Sequence, residues 1–509
     1  MTTHPTRPIQ FTTEPRAALS AFPWAVRALV APTALALSTL ATLALPAPAA
    51  AQSGHDAVLA HVEANAADYA SVAQQIWDFA EVGYQETESS ALLQEQLARA
   101  GFEIETGVAG MPTAFVASWG EGSPVIGVLA EFDALPGITQ SRSPYPDPVF
   151  SMAAGHACGH HLFGAGSVAA ALAVKDWLAS SGTPGTIRLY GTPAEEGGAG
   201  KVYMVRGGLF GDVDAVLHWH PSSANDASPS TSLANKSAKF RFRGVSAHAA
   251  GAPEQGRSAL DGVEAMNHMV NLMREHVPQE TRIHYVITAG GSAPNVVPDF
   301  AEVYYYVRNP DVEVARAIFE RVVLAAEGAA RGTETNMEYE VIHGLYAMLA
   351  NEALQRRAQA NLERVGGVVY DEEERAFAEQ IQTTLNNRPP IESAAAVQPY
   401  APRQGGGSTD VADVSWVVPT VGIGTATWVP GTPAHSWQAI AAGGTSIGNK
   451  GMIVAAKTLA MTAVDLFTDP ALLEAATAEY LERVGPGFEY VALVGDREPP
   501  LDYRRNPGR

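Results

Sequence analysis

Four short segments are apolar on nearly every position: "PVIGVLAEF" (124–132), "TIRLYGTPAEE" (186–196), "AVLHWHP" (215–221) and "TVGIGTAT" (420–427). A strand that is apolar on both sides must be covered on both sides, which is the condition of a parallel sheet between layers of helix. The intervening sequence supplies the helices. "VLAHVEANAADYASVAQQIWDFAE" and "ESSALLQEQLARAG" repeat apolar residues every three to four positions, and "GSVAAALAVKDWLASSG" and "KGMIVAAKTLAMTAVDLFTD" are apolar enough to lie in a core. "TAFVASWG" (113–120) adds another strand. This alternation predicts an α/β fold, a mostly parallel sheet flanked by helices.

The texture changes near Ser232. "KSAKFRFRG" (236–244) alternates polar and apolar residues, as a half-exposed strand does. The segments to Gly344 then read helix, strand, strand, helix, strand, a small α+β sandwich inserted into the larger domain. The expected organisation is a first catalytic part at 52–234, an inserted lid or dimerisation domain at 235–344, a second catalytic part at 345–480 and a C-terminal tail at 481–509. Residues 371–407, rich in Pro, Gly, Asn and Gln, read as irregular.

Residues 1–51 read as a signal peptide. Arg7, Arg16 and Arg27 precede an Ala- and Leu-rich stretch that ends in Ala49-Ala50-Ala51 before Gln52. A periplasmic or secreted protein is therefore expected, with no membrane association after cleavage. The formal net charge of −21 argues against nucleic acid as the main partner. The chain has one cysteine, Cys158, so an internal disulfide is excluded. An unpaired thiol in an oxidising compartment needs protection, by burial or by metal ligation.

The groups able to carry chemistry fall at the C-terminal ends of the predicted strands, where sites form in parallel sheets. Cys158 and His160 stand two apart, a spacing that points both side chains the same way in extended backbone. Thiolate and imidazole suit zinc, although a lone C-x-H is equally a buried structural cysteine. Glu195 and Glu196 follow a buried strand. One is suited to bind metal while the other serves as base, unless the two form a solvated acidic pair. His218 and His220 are each a ligand or a hydrogen-bonded core residue, and His435 lies in a turn-rich loop. Together these groups suffice for a two-metal site.

The combination of "FAEVGYQETES", "AEFDALPG", "GHACGHH", "TPAEEGGAGK", "HWHP", "RGVSAHAAGAPEQGRSALD", "RIHYVITAGGSAPNVVPDFAEVYYYVR", "GGSTDVADVSW" and "GTPAHSWQ" resembles the two-metal amidohydrolases and peptidases that include aminoacylases, glutamate carboxypeptidases and auxin-conjugate hydrolases. Within them the resemblance is nearest to the branch formed by the B-type subunits of p-aminobenzoyl-glutamate hydrolase. It implies two divalent ions, zinc by ligand type with manganese or cobalt as alternatives, bridged by Cys158. His160 and His220 would complete one ion, and Glu196 and His435 the other. Glu195 would be the general base, and Asp133 would orient a ligating histidine. His248 would stabilise the oxyanion in a neighbouring protomer, making a homodimer or higher oligomer the expected assembly. Asn295 and Arg308 would hold the substrate, with His284 a further candidate. Relatives often carry Asp or Asn where His161 stands, and a metal-binding His where Glu131 stands. The implied function is hydrolysis of a small-molecule amide, an N-acyl or N-aroyl amino acid or small peptide. A single-metal esterase or deacylase, and a non-catalytic metal-loaded partner, are the rival readings.

Overall fold

The computed structural model describes residues 47–504. The expected signal peptide lies outside the described residues except for its last five, which form the first turn of α1 (Ala47–Ala64).

Ten strands of the fold matter here. β1 (Glu103–Thr106), β2 (Phe115–Glu121), β3 (Val125–Ala130), β4 (Gly185–Gly191), β5 (Ala215–Ser222) and the late-arriving β10 (Thr420–Ala426) form one sheet in the order β1-β2-β4-β3-β5-β10. The β4–β3, β3–β5 and β5–β10 pairings are parallel, and β1 and β2 add an antiparallel edge. The register sets Val128 opposite both Leu189 and Leu217, and Leu217 opposite Val421. All six residues of β3 are buried, as its unbroken apolar sequence requires.

Helices α2 (Ala66–Phe79), α3 (Thr87–Arg99) and α4 (His160–Ser181) join α1 around the sheet. Trp219 of β5 packs against Phe163 and Gly166 of α4, while His218 and His220 alternate to the other face and line a cavity there. α4 and a later helix, Ser446–Thr468, are long and apolar enough to cross a membrane, but their apolar windows are 78% and 89% buried. They are core helices, apolar all round because they are enclosed all round.

The second sheet, in the order β7-β8-β6-β9, contains β6 (Ala234–Arg243), β7 (Arg282–Ala289), β8 (Phe300–Asn309) and β9 (Asn336–Leu345) and is antiparallel throughout. With α6 (Ala259–Met273) and α7 (Val312–Gly332) it follows the expected strand–helix–strand–strand–helix–strand order; α5 (Gly200–Arg206) belongs to the first sheet's layer. Ala238, Phe240, Phe242, Val303, Tyr305 and Val307 face the two helices. The alternate residues, among them Lys239, Arg241, Tyr304 and Tyr306, line a cavity on the opposite face.

Two expectations need correction. Residues 371–407 are not wholly irregular. After α8 (Glu352–Val365) they contain α9 (Glu372–Gln382), which begins in a reciprocal capping box between Asp371 and Glu374 and buries Ala378 and Ile381. Its low apolar content hides it from a periodicity reading, whereas D-x-x-E was a visible start signal. The chain also does not close with the helix predicted at 450–469. After α10 (Val411–Ser415), α11 (Trp437–Gly443) and α12 (Ser446–Thr468), α13 (Pro470–Val484) crosses the expected boundary at 480. The residues beyond it pack back onto both sheets.

Candidate metal centre

The site assembles where the parallel strands end. Beyond β3 stand Glu131 and Asp133; beyond β4 stand Glu195 and Glu196; His220 lies near the end of β5 and His435 beyond β10. Cys158 and His160 sit at the start of α4, separated by Gly159, whose φ of +80° turns the chain sharply. A Cβ at Gly159 would lie 2.6 Å from Pro221 Cβ, so the close approach to β5 also demands glycine.

Two trios of side chains converge, and Cys158 belongs to both. The ligand atoms of Cys158, His160 and His220 lie within 4.8 Å of one another, as do those of Cys158, Glu196 and His435. Cys158 Sγ is 3.4 Å from His220 Nε2, and Glu196 Oε1 is 3.2 Å from His435 Nε2. These are the five residues named from the sequence. His220 Nδ1–H donates to the Pro221 carbonyl (2.7 Å), which leaves Nε2 facing the cluster. His218 stays outside it: its ring abuts Gly422, and burial, with His220 and Lys201 nearby, lowers its pKa to about 3.

Asp133 lies beside one candidate ligand of each trio. It accepts from His160 Nδ1 (2.8 Å) and from the Glu196 backbone N–H (2.9 Å), fixing one candidate ligand of each trio. Burial opposes its charge, yet His160 beside it holds its carboxyl below the usual range. A third trio, Glu131, His160 and Glu195, adjoins the first two. Burial, followed by the carboxylates of Glu131 and Glu196, raises Glu195 well above an ordinary glutamate.

The arrangement passes a direct test for cations. His160 Nε2 and Glu131 Oε2 approach to 3.1 Å, yet both are buried without a hydrogen-bond partner, and Glu196 Oε1 is in the same condition. Polar atoms that meet without bonding one another are what a shared cation satisfies. Burial pushes the Cys158 thiol well up, so a thiolate there needs a positive neighbour. Five carboxylates (Glu131, Asp133, Glu195, Glu196 and Asp410) gather at the site, and Lys201 pairs with two of them, Glu131 and Asp410. The residues fit two divalent ions, which Cys158, His160, His220, Glu196 and His435 would hold.

Three participants escaped the sequence reading: Lys201, Asp410 and Glu86. Lys201 is fully buried and pairs with Glu131 Oε1 and Asp410 Oδ1, both at 2.7 Å. Glu86, pushed to about 8 by burial and then Asp133, accepts from Thr113 Oγ1 and from the Ala194 N–H, both at 2.9 Å. It thereby holds the turn ahead of Glu195, where Ala194 has φ +59°. "GGAGK", "GGSTD" and "QETES" carried these residues, but only the fold brings them together. His161 is directed away from the ligand cluster: its Nε2 donates to the Gly443 carbonyl (3.0 Å), and its ring packs 4.9 Å from His156.

The remaining expected residues lie on the second sheet. His248, Asn295, His284 and Arg308 make no contact with the Cys158 cluster of their own chain among the described residues. His248 Nδ1 accepts from the backbone N–H groups of Ala250 (3.2 Å) and Gly251 (3.1 Å), which places its ring N–H at Nε2 on an exposed side chain. Asn295 lies in the neighbouring loop between β7 and β8, its carbonyl accepting from Ala249 N (3.1 Å). Arg308 lies over Tyr306 at 5.2 Å, and His284 pairs with Tyr306 across the sheet.

Residues 127–436 match the model of the peptidase family M20/M25/M40. The chain is 41% identical over 447 residues to the B-type subunit of the p-aminobenzoyl-glutamate hydrolase of Escherichia coli, covering 82% of this chain and 93% of that one. It is 30% identical over 431 residues to the Xaa-Arg dipeptidase of Mus musculus, covering 81% and 88%. Among solved structures, the Bacillus subtilis YXEP protein, a dinuclear metal binding peptidase from the M20 family, superposes with a TM-score of 0.55 at 20% identity, covering 79% of this chain and 98% of that one. That likeness carries the fold.

Proposed function

The chain belongs to the peptidase family M20/M25/M40 and is a metal-dependent amidohydrolase, and on that premise we propose that it hydrolyses N-acyl or N-aroyl amino acids of the aminobenzoyl-glutamate kind. The observation that carries the reading is the pair of ligand trios sharing Cys158, with Glu195 adjoining them. Two divalent ions held there supply Lewis-acid activation of the scissile carbonyl and of a water molecule. Zinc suits one thiolate with three imidazoles, and manganese or cobalt are the alternatives.

The chain's own residues perform the proton work. Glu195, kept basic by burial and by its neighbouring carboxylates, accepts a proton from the attacking water. It then delivers that proton to the amide nitrogen as the carbon–nitrogen bond breaks, releasing an amine and a carboxylic acid. Asp133 keeps His160 and Glu196 aligned through the cycle. Glu195→Gln should retain both metals and lose about 10²- to 10⁴-fold in turnover of N-aroyl amino acids. Normal turnover with metal bound would remove Glu195 from this role.

The proposal includes a homodimer. His248 and Asn295 lie away from their own metal centre, and Tyr285, Val286 and Ile287 expose apolar surface on the edge strand β7. In a dimer, His248 Nε2–H would donate to the developing oxyanion of the facing site. Light scattering reads the assembly; a monomer that turns over fully refutes the shared site. The E. coli relative is named as one subunit of its hydrolase, so a homologous partner is the other outcome of that measurement. Residues 1–51 support export to the periplasm or beyond, and secretion of the processed chain beginning near Gln52 would test it.

A further inference from the structure

The last described residues return to the metal centre. Beyond α13 the chain crosses the open face of the second sheet. There Arg497 pairs with Glu340 (2.8 Å) and donates to the Ile342 carbonyl (2.6 Å). Arg206 of α5 donates to the Gly495 (2.9 Å) and Arg497 (2.7 Å) carbonyls, and Gln85 to the Leu501 carbonyl (2.8 Å). Tyr503 then sets its ring edge-on to Tyr84 at 5.7 Å and donates to the Glu196 carbonyl (3.1 Å). Arg504 donates to the same carbonyl through Nη2, and its guanidinium lies over the Tyr503 ring at 4.7 Å. A cavity of about 860 Å³ lies between this tail and the sheet, lined by Lys239, Tyr304, Tyr306 and Arg504, and reaches Gly197 beside Glu196.

Of the guanidinium groups that line this cavity, Arg241 and Arg497 are committed to carboxylates; Arg308, over Tyr306 on the same face but outside the cavity lining, also has a buried Nε without a partner. Arg241 pairs with Glu302 (2.7 Å) and Glu340 (2.8 Å), and Arg497 with Glu340. Arg504 has no carboxylate partner among the described residues, and its buried Nε has no hydrogen-bond partner. In a chain with 54 acidic and 33 basic residues, that leaves a guanidinium without a counter-charge beside a candidate metal ligand. The fork is oriented by its bond to Glu196 and backed by Tyr503, the preorganisation that bidentate carboxylate binding needs.

We propose that Arg504 binds the carboxylate of the amino-acid half of the substrate, so that the C-terminal tail sets specificity at the active site. The inference rests on the amide-hydrolase reading, because the α-carboxylate of an N-acyl amino acid lies a few bonds from its scissile carbonyl. It differs from the assignment of that task to Arg308, which stands on the second sheet away from Glu196 of its own chain.

The test compares N-benzoylglycine with N-benzoylglycinamide, which differ only in the carboxylate. Calorimetric binding to the metal-loaded Glu195→Gln protein and steady-state kinetics of the unmutated chain are both read. Arg504→Gln should weaken binding of the acid, and raise its KM, by about ten- to a hundredfold without affecting the amide. Arg504→Lys should recover part of that loss. Tyr503→Phe, which leaves the fork in place, should keep the discrimination. Equal effects of Arg504→Gln on acid and amide, no effect on either, or discrimination lost in Arg308→Gln instead would each overturn the proposal. Turnover by the unmutated chain is judged separately. Normal turnover with discrimination intact in Arg504→Gln overturns this inference alone. Arg504-dependent binding without turnover overturns the hydrolytic reading and leaves the carboxylate site standing. Neither binding nor turnover of either compound overturns both.

Discussion

At the scale of single residues, alternatives that neighbouring letters left open were separated by position along the strand. His218 and His220 point to the same face of β5, yet only His220 reaches Cys158. Replacing His220 with Ala should therefore remove metal, and replacing His218 with Ala should leave it bound; metal content per chain by mass spectrometry distinguishes them. Lys201 presents a different case. It is the positive centre between Glu131 and Asp410, and burial alone would drive it neutral, but the flanking carboxylates keep it charged. Lys201→Met would strand two buried carboxylates and should destabilise the chain by about 3–5 kcal/mol, measured by denaturant unfolding of the metal-free protein. A loss under about 1 kcal/mol would mean that those carboxylates take up protons cheaply instead.

At the scale of elements, α9 supports the site from behind. The segment after it brings the Asn387 carbonyl against Gly431, and Gln382 Nε2 donates to the Pro389 (2.7 Å) and Pro430 (3.3 Å) carbonyls, bracing the loop that carries His435. His435 itself has φ +58°, a strained conformation that such support maintains. Asp371→Ala breaks the capping box and should cost about 1 kcal/mol of stability by chemical denaturation, with a lower affinity for the second metal if the loop loosens. The second sheet holds a comparable device. His343 is buried, accepts at Nε2 from Asn235 (3.0 Å) and meets Ser237 Oγ through Nδ1 (2.7 Å). Burial, then the charges of Arg308 and Arg497, lowers its pKa to about 4.

At the scale of the molecule, such histidines make stability depend on pH. His343 and His156 both titrate near 4 in the folded chain and near 6.5 when unfolded. Between those values the unfolded chain binds protons that the folded chain does not, so stability rises with pH and is lost as pH falls from about 7 towards 4. Each group accounts for up to about 3 kcal/mol over that window. Melting temperatures of the metal-free protein should fall across it, and His343→Phe should flatten the dependence; a slope unchanged by that substitution would place the protons elsewhere.

Much of this protein was legible before any coordinates. Apolar strands covered on both faces can only stack between helices, so "PVIGVLAEF" and its counterparts dictated a parallel sheet, and the sheet dictated where the chemistry would gather. The five residues that converge as candidate ligands stood among the groups at the strand ends, and the family resemblance singled them out there. What the sequence left open depended on distance through space. Nothing in "GGAGK" or "GGSTD" announces that Lys201 will lie 2.7 Å from both Glu131 and Asp410. Nothing in the last residues announces that Arg504 will return to the Glu196 carbonyl, 308 positions away in sequence. Periodicity and turn chemistry are local and can be read along the chain; the pairing of buried charges and the path of the tail are decided only when the sheets have packed.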